Sequence, residues 1–145
     1  MDNYKSEQQI IDCNINTIYS KLSNPELLKN HIENSFDKLP DEAKANLDKV
    51  QFDTDGILID SPMGQLKLAL KDCQEPSLVR YEAQESPVAF ALNINLQENG
   101  EDQTFAVADI ELDLPVFVRA MVGGKIKDAA QKFGELLTKI PYEVI

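Results

Sequence analysis

Arg119 is the residue in this chain best placed to do chemistry. It stands in the run PVFVRAMVGGKIKDAAQKFGELLTKIP, between Val118 and Val122 and seven residues before Ile126. On a continuous helix that spacing puts it on the apolar stripe. A guanidinium there needs a carboxylate, a carbonyl or a ligand anion. Asp109 and Glu111, just upstream, are candidate internal partners. If Gly123-Gly124 resets the helical phase, Arg119 points to water instead. Tyr81 is the other polar candidate, on an inward strand face where its hydroxyl could meet a ligand or simply be satisfied within a core. Phe90, Leu92, Val122, Ile126 and Phe133 would either line a cavity beside these two or fill it.

Other chemistries are poorly supported. His31 is the single histidine, among Lys29, Asn30 and Glu33 and without a cysteine nearby, so no metal is expected. Asp53-Thr54-Asp55-Gly56 resembles part of a calcium loop, but Gln51 and Pro62 stand where ligands would be required, and an Asp-Gly turn is the better reading. No G-x-S-x-G elbow exists, and no pair of carboxylates has a recognisable spacing. No catalytic residue is assigned and no cofactor is expected.

The elements that must position these residues follow from periodicity. Val118, Val122, Ile126, Ala129, Phe133, Leu136, Leu137 and Ile140 step by three or four from Pro115 to Pro141, which predicts one long helix. About 25 residues at 1.5 Å each span roughly 38 Å, so this helix needs a sheet to cover. Gly123 and Gly124 each weaken it by about 1 kcal/mol and suggest a kink, a close approach or a break into two helices. Residues 4–15 read as a first strand, with Ile11, Cys13 and Ile15 on one face. Ser23-Asn24-Pro25-Glu26 opens a helix, and Pro40-Asp41-Glu42 repeats the signal, giving two or three short helices between Asn16 and Leu47.

Strands follow. VQFDTDGILID breaks at Asp55-Gly56, Leu66, Leu68 and Leu70 share a face, and so do Val79, Tyr81 and Ala83. Val88, Phe90, Leu92, Ile94 and Leu96 alternate most cleanly. Asn99-Gly100 predicts a tight turn into TFAVADIEL. Connections this short require antiparallel pairing.

Composition narrows the function classes. Fourteen basic residues against 25 acidic ones give a net charge of −11. That opposes duplex nucleic acid and anionic membranes as partners. No stretch is apolar enough for membrane insertion, and the N-terminus lacks a signal-peptide core. Cys13 and Cys73 form no spacing pattern and are expected as reduced thiols in a cytoplasmic protein. A homodimer is compatible with the sequence.

The order strand, short helices, strand meander, long helix resembles the helix-grip fold of the START, pollen-allergen and polyketide cyclase/dehydratase superfamily, SRPBCC. ININTIYSKLSNPELL is similar to its strand-to-helix opening, and DLPVFVRAMVGGKIKDAAQKFGELL to its closing helix. The resemblance covers nearly all of residues 1–145. It implies a single α+β domain whose strongly curved antiparallel sheet of six or seven strands grips the C-terminal helix, with a cavity between them. The function it implies is binding of a small hydrophobic or amphipathic ligand, carboxylate-bearing if Arg119 meets it. A cyclase- or dehydratase-like enzyme using Tyr81 and a partner-protein-binding module are the alternatives. Inward polar groups around a deep cavity would favour the enzyme; a filled cavity with an exposed apolar patch would favour the partner module.

Overall fold

The computed structural model describes residues 2–35, 50–52, 56–61, 64–84, 89–140 and 142–143. Strands β1 (Asp2–Lys5) and β2 (Gln9–Ile11) precede helices α1 (Ile15–Leu22) and α2 (Pro25–Ser35). Then come β3 (Val50–Phe52), β4 (Gly56–Ser61), β5 (Gly64–Leu70), β6 (Leu78–Gln84), β7 (Phe90–Glu98) and β8 (Thr104–Leu112). Helix α3 (Val116–Leu137) ends the series. Every pairing is antiparallel, in the order β1-β8-β7-β6-β5-β4-β3. β1 and β2 both pair with β8, so the sheet is seven positions wide.

The expected single first strand is two, and the register explains it. Lys5 lies opposite Asp109 and Gln9 opposite Ala106. Four steps on one strand therefore match three on the other, which is a bulge of one extra residue. The bulge reverses the side-chain alternation: Tyr4 and Ser6 face inward before it, Gln9 and Ile11 after it. The strand also ends sooner than expected, because Asn14 accepts a hydrogen bond from the Asn16 amide and caps α1. Pro25 opens α2 as predicted. The Pro40 signal, Asp53–Asp55 and Val88 lie outside the described residues.

The inner face of the sheet is apolar. Leu68, Tyr81, Leu92 and Ile110 are buried, and Tyr81, Leu92 and Ile110 stand opposite one another across β6, β7 and β8. Gly56 begins β4 where only glycine fits, since a Cβ there would run into the Leu68 carbonyl. The Asn99-Gly100 turn is looser than predicted. Five residues separate β7 from β8, the Asn99 amide donates to the Gln103 carbonyl at 3.0 Å, and Gly100 adopts φ +84°.

Helix α3 is continuous through Gly123 and Gly124. It lies across β8, β1 and β2. Its buried residues are Ala130, Gly134 and Leu137, while Ala129, expected on the stripe, is exposed. The stripe is rotated because small residues bring the helix close to the bulge. A Cβ on Gly134 would sit 2.6 Å from Ser6 Oγ and 2.8 Å from Ser6 Cβ. Ser6 cannot easily yield: its Oγ accepts from the Ala108 amide at 3.0 Å and donates to the Glu7 carbonyl at 2.9 Å. The glycine that serves packing is therefore Gly134, not the pair at 123–124.

Candidate functional site

The space between sheet and helix differs at its two ends. At the end toward α1 and α2 it is closed. A void of about 10 Å³ remains, lined only by apolar groups including Leu22, Ile57, Tyr81, Ile94, Phe133 and Leu137. That is room for about one water, with no polar partner to hold it. The Tyr81 hydroxyl donates to the Leu22 carbonyl at 2.5 Å, at the C-terminus of α1. Burial, and after it the nearby Cys73, pushes the Tyr81 phenol well above its usual range. It is held as a neutral donor. Tyr142, which sequence reasoning passed over, plays the same part at the end of α3, donating to the Leu137 carbonyl at 2.6 Å. A lone tyrosine after a helix-ending proline was its one available signal.

At the other end the walls remain half-open. No residue of α3 before Ala130 is buried. Val118, Val122 and Ile126 are half-buried against the core, as are Phe90, Leu70 and Ala83 from the strands and Tyr4 from β1. Phe90 stands opposite Leu112, four residues before the start of α3, so strand and helix converge there. Arg119 and Leu137 are eighteen residues apart, five full turns, and share one face of the helix. Leu137 is buried and Arg119 is exposed. The first turns of α3 thus carry the inward face past the tightly packed region. Arg119 donates to the Leu114 carbonyl at 3.3 Å, tying it to the helix start.

Of the seven predicted site residues, Tyr81 and Leu92 are buried in the sheet's inner face. Phe90, Val122, Ile126 and Phe133 are half-buried, and Arg119 is exposed. Tyr81 and Phe133 meet at the small void, while Phe90 belongs to the half-open end. The two carboxylates weighed as partners of Arg119 occupy the outer face of the sheet. Asp109 accepts from the Asn3 amide at 3.1 Å, and Glu111 takes Arg80 at 2.7 Å. Arg80 also donates to Asn93 at 2.9 Å. Burial tends to raise the Glu111 pKa, but the hydrogen bond and charge of Arg80, with Asn93 and Asn3, bring it below its ordinary value. This network was legible only once strand register set Arg80, Asn93 and Asp109 in neighbouring positions.

A second depression of about 330 Å³ opens on the outer face, over Leu78, Phe105 and Val107 and rimmed by Gln8, Gln74 and Asn95. Among the described residues no three or more His, Cys, Asp or Glu side chains cluster as a metal site. Both cysteines are free thiols, Cys13 buried and Cys73 half-buried. No helix among the described residues is long and apolar enough to cross a membrane.

No protein-family model matches the chain, and no curated protein matches it in sequence. Solved structures do. Protein MLL2253 from Mesorhizobium loti is 14% identical, with a TM-score of 0.60 over 99% of both chains. Norcoclaurine synthase from Thalictrum flavum is 15% identical, with a TM-score of 0.57 over 91% of this chain and 85% of its own. A START superfamily protein from Mycobacterium smegmatis is 15% identical, with a TM-score of 0.51 over 94% of this chain and 99% of its own. The chain has the START-like helix-grip fold: an α+β arrangement of a curved antiparallel sheet and a long C-terminal helix.

Proposed function

We propose that this protein binds a small apolar or amphipathic molecule in the half-open end of the space between sheet and helix, with Arg119 taking its carboxylate. The observation that carries the reading is the change in packing along one helix. Apolar side chains on both walls remain half-buried where Phe90, Val118, Val122 and Ile126 converge, whereas the other end is closed. An apolar body entering there would complete burial of surface that the fold leaves partly wet. A carboxylate near Arg119 would gain a charge-assisted contact, bidentate if its geometry allows. A related fold accommodates small aromatic molecules: norcoclaurine synthase has been solved with dopamine and hydroxybenzaldehyde.

Binding is favoured over cyclase- or dehydratase-like catalysis because the Tyr81 hydroxyl is committed to the Leu22 carbonyl. Titration of fatty acids against wild type and Arg119→Met tests the reading. Affinity should fall about tenfold or more in the variant. Equal affinity in both proteins, or no binding in either, rejects it. Mass spectrometry of molecules that co-purify with the protein would then identify the ligand.

The partner-module alternative has its own observation. The outward side of the same helix half exposes Val116, Phe117 and Met121.

A further inference from the structure

The chain has four tyrosines, and three of their hydroxyls have protein partners. Tyr81 donates to the Leu22 carbonyl, Tyr142 to the Leu137 carbonyl, and Tyr19 bonds the Cys73 thiol. The Tyr4 hydroxyl enters no hydrogen bond among the described residues. It is nevertheless on a half-buried side chain of the sheet's inner face. Strand register puts Tyr4 in one row with Ile110, Leu92 and Tyr81, across β1, β8, β7 and β6. Tyr81 closes that row against the packed void, while Tyr4 stands at the half-open end.

Helix α3 crosses this phenol at Gly123. A Cβ built on Gly123 would lie 3.7 Å from both the Tyr4 hydroxyl oxygen and its ring. Glycine contributes no side chain there, so a shallow notch remains beside the hydroxyl. Arg119 lies one turn earlier on the same face of the helix. Its guanidinium is held farther toward the helix start by the Leu114 carbonyl. Hydroxyl and guanidinium thus stand roughly two turns apart, about 11 Å along the helix. Beside them the wall is formed by the half-buried Val118 and Val122. Residues 114–127 carry Arg119, Lys125 and Lys127 and no acidic residue, in a chain of net charge −11. This end therefore favours an anion where the chain as a whole repels one.

We infer that Tyr4 determines the specificity of this site, and that the ligand is an apolar carboxylic acid with a second oxygen function, hydroxyl or carbonyl, partway along its chain. The inference rests on the ligand-binding reading proposed above. Arg119 takes the carboxylate, and the chain runs along Val118 and Val122 to the Tyr4 hydroxyl, which can both donate and accept. The separation calls for several methylenes between the two groups rather than one carbon. A plain acyl chain laid over Tyr4 would strip water from the hydroxyl and return no bond. A site with such a group discriminates against the analogue that leaves it unpaired.

Calorimetric titration of octadecanoic acid and of its α-hydroxy, mid-chain hydroxy and mid-chain keto derivatives tests it. Wild type should prefer a mid-chain derivative to octadecanoic acid by about three- to tenfold, the worth of one hydrogen bond. Tyr4→Phe should abolish that preference and bind octadecanoic acid at least as tightly as wild type does. Its urea midpoint should match wild type, since the lost hydroxyl bonds nothing among the described residues. Arg119→Met should weaken binding of every acid and retain the preference. Arg119-dependent binding without the preference, or a preference that survives Tyr4→Phe, overturns the Tyr4 assignment alone. So does a preference for the α-hydroxy acid, which would put the second oxygen beside Arg119. A clearly lower urea midpoint in Tyr4→Phe gives the hydroxyl to the fold and overturns it likewise. If wild type binds none of the acids, or Arg119→Met binds them all equally well, the ligand reading falls and this inference with it.

Discussion

Helix α3 is two helices in energetic terms, although its backbone hydrogen bonding is continuous. From Ala130 to Leu137 it is pressed on the bulged strand edge so closely that Gly134 has no room for a methyl group. From Val116 to Ile126 it buries nothing fully, keeps apolar groups half-buried inward and exposes others outward. The second half holds the fold and the first half is left available. One amphipathic stripe with one spacing thus yields both behaviours. What separates them is how much sheet lies beneath each turn, together with residue size at the crossing. A run of small side chains, Ala130 and Gly134, seats the helix; a run of large ones without a matching surface leaves a face for something else.

The largest effects should come from the seated half. Leu137→Ala removes a fully buried side chain beside a void already too small to collapse usefully, and should cost about 3–4 kcal/mol in urea unfolding. Phe133→Ala should cost about 2–3 kcal/mol, less than a fully buried phenylalanine, because its ring is half-buried and borders the same void. A loss below about 0.5 kcal/mol in either variant would mean that the seated half is not what anchors the helix.

Gly134→Ala comes next. The added methyl would overlap Ser6, and relief requires either lifting the helix or breaking the Ser6 bond to the Ala108 amide. Overpacking of this sort costs about 1–3 kcal/mol, offset by about 1 kcal/mol of helix propensity. A net loss of about 1–2 kcal/mol is expected. A stabilised Gly134→Ala would show that the helix stands off the bulge.

On the outer face of β8, opposite Asn3 and away from that seat, Glu111 contributes through Arg80. Its folded pKa is depressed, so its contribution is present above the unfolded carboxylate range and is lost as pH falls through the folded value. Glu111→Gln should therefore be less stable than wild type at neutral pH, and the gap should narrow on acidification below the ordinary glutamate range. A gap that stays constant with pH would detach Glu111 from the charge pair.

Much of this arrangement was legible in the sequence, and its failures have physical causes. Alternation in Leu66, Leu68 and Leu70 and in Phe90 through Leu96 gave the strands, and short connections gave antiparallel order. Leu70 and Phe90 nonetheless ended only half-buried, because alternation reports which face a residue takes and not how far the opposite layer extends. The bulge at residues 6–8 was invisible, since it depends on register with a strand about 100 residues away. The stripe was misphased at Ala129 for the same reason: helix rotation is set by where glycine and alanine allow close approach, a property of the pair of surfaces. Arg119 was correctly put in line with the core-facing side chains. Its exposure could not be read, because the sequence does not say where the sheet stops. Tyr81 was correctly turned inward, yet its hydroxyl partner is a backbone carbonyl that no motif announces.

The smallest effect separates the halves most cleanly. Gly124→Ala places a methyl group in open space on a helix with ordinary backbone angles. It should stabilise the protein by about 0.5–1 kcal/mol, through reduced freedom of the unfolded chain and better helix propensity. Gly123→Ala should do nearly the same, its methyl touching the Tyr4 ring at an ordinary 3.7 Å. Glycine at 123, 124 and 134 would then give opposite signs within a single helix, measured by the same unfolding experiment. Urea midpoints taken at high dilution report the isolated chain, where both gains should appear. Loss of stability at Gly124 under those conditions would mean that the first half of α3 is packed within its own chain, and the contrast between the two halves would fail.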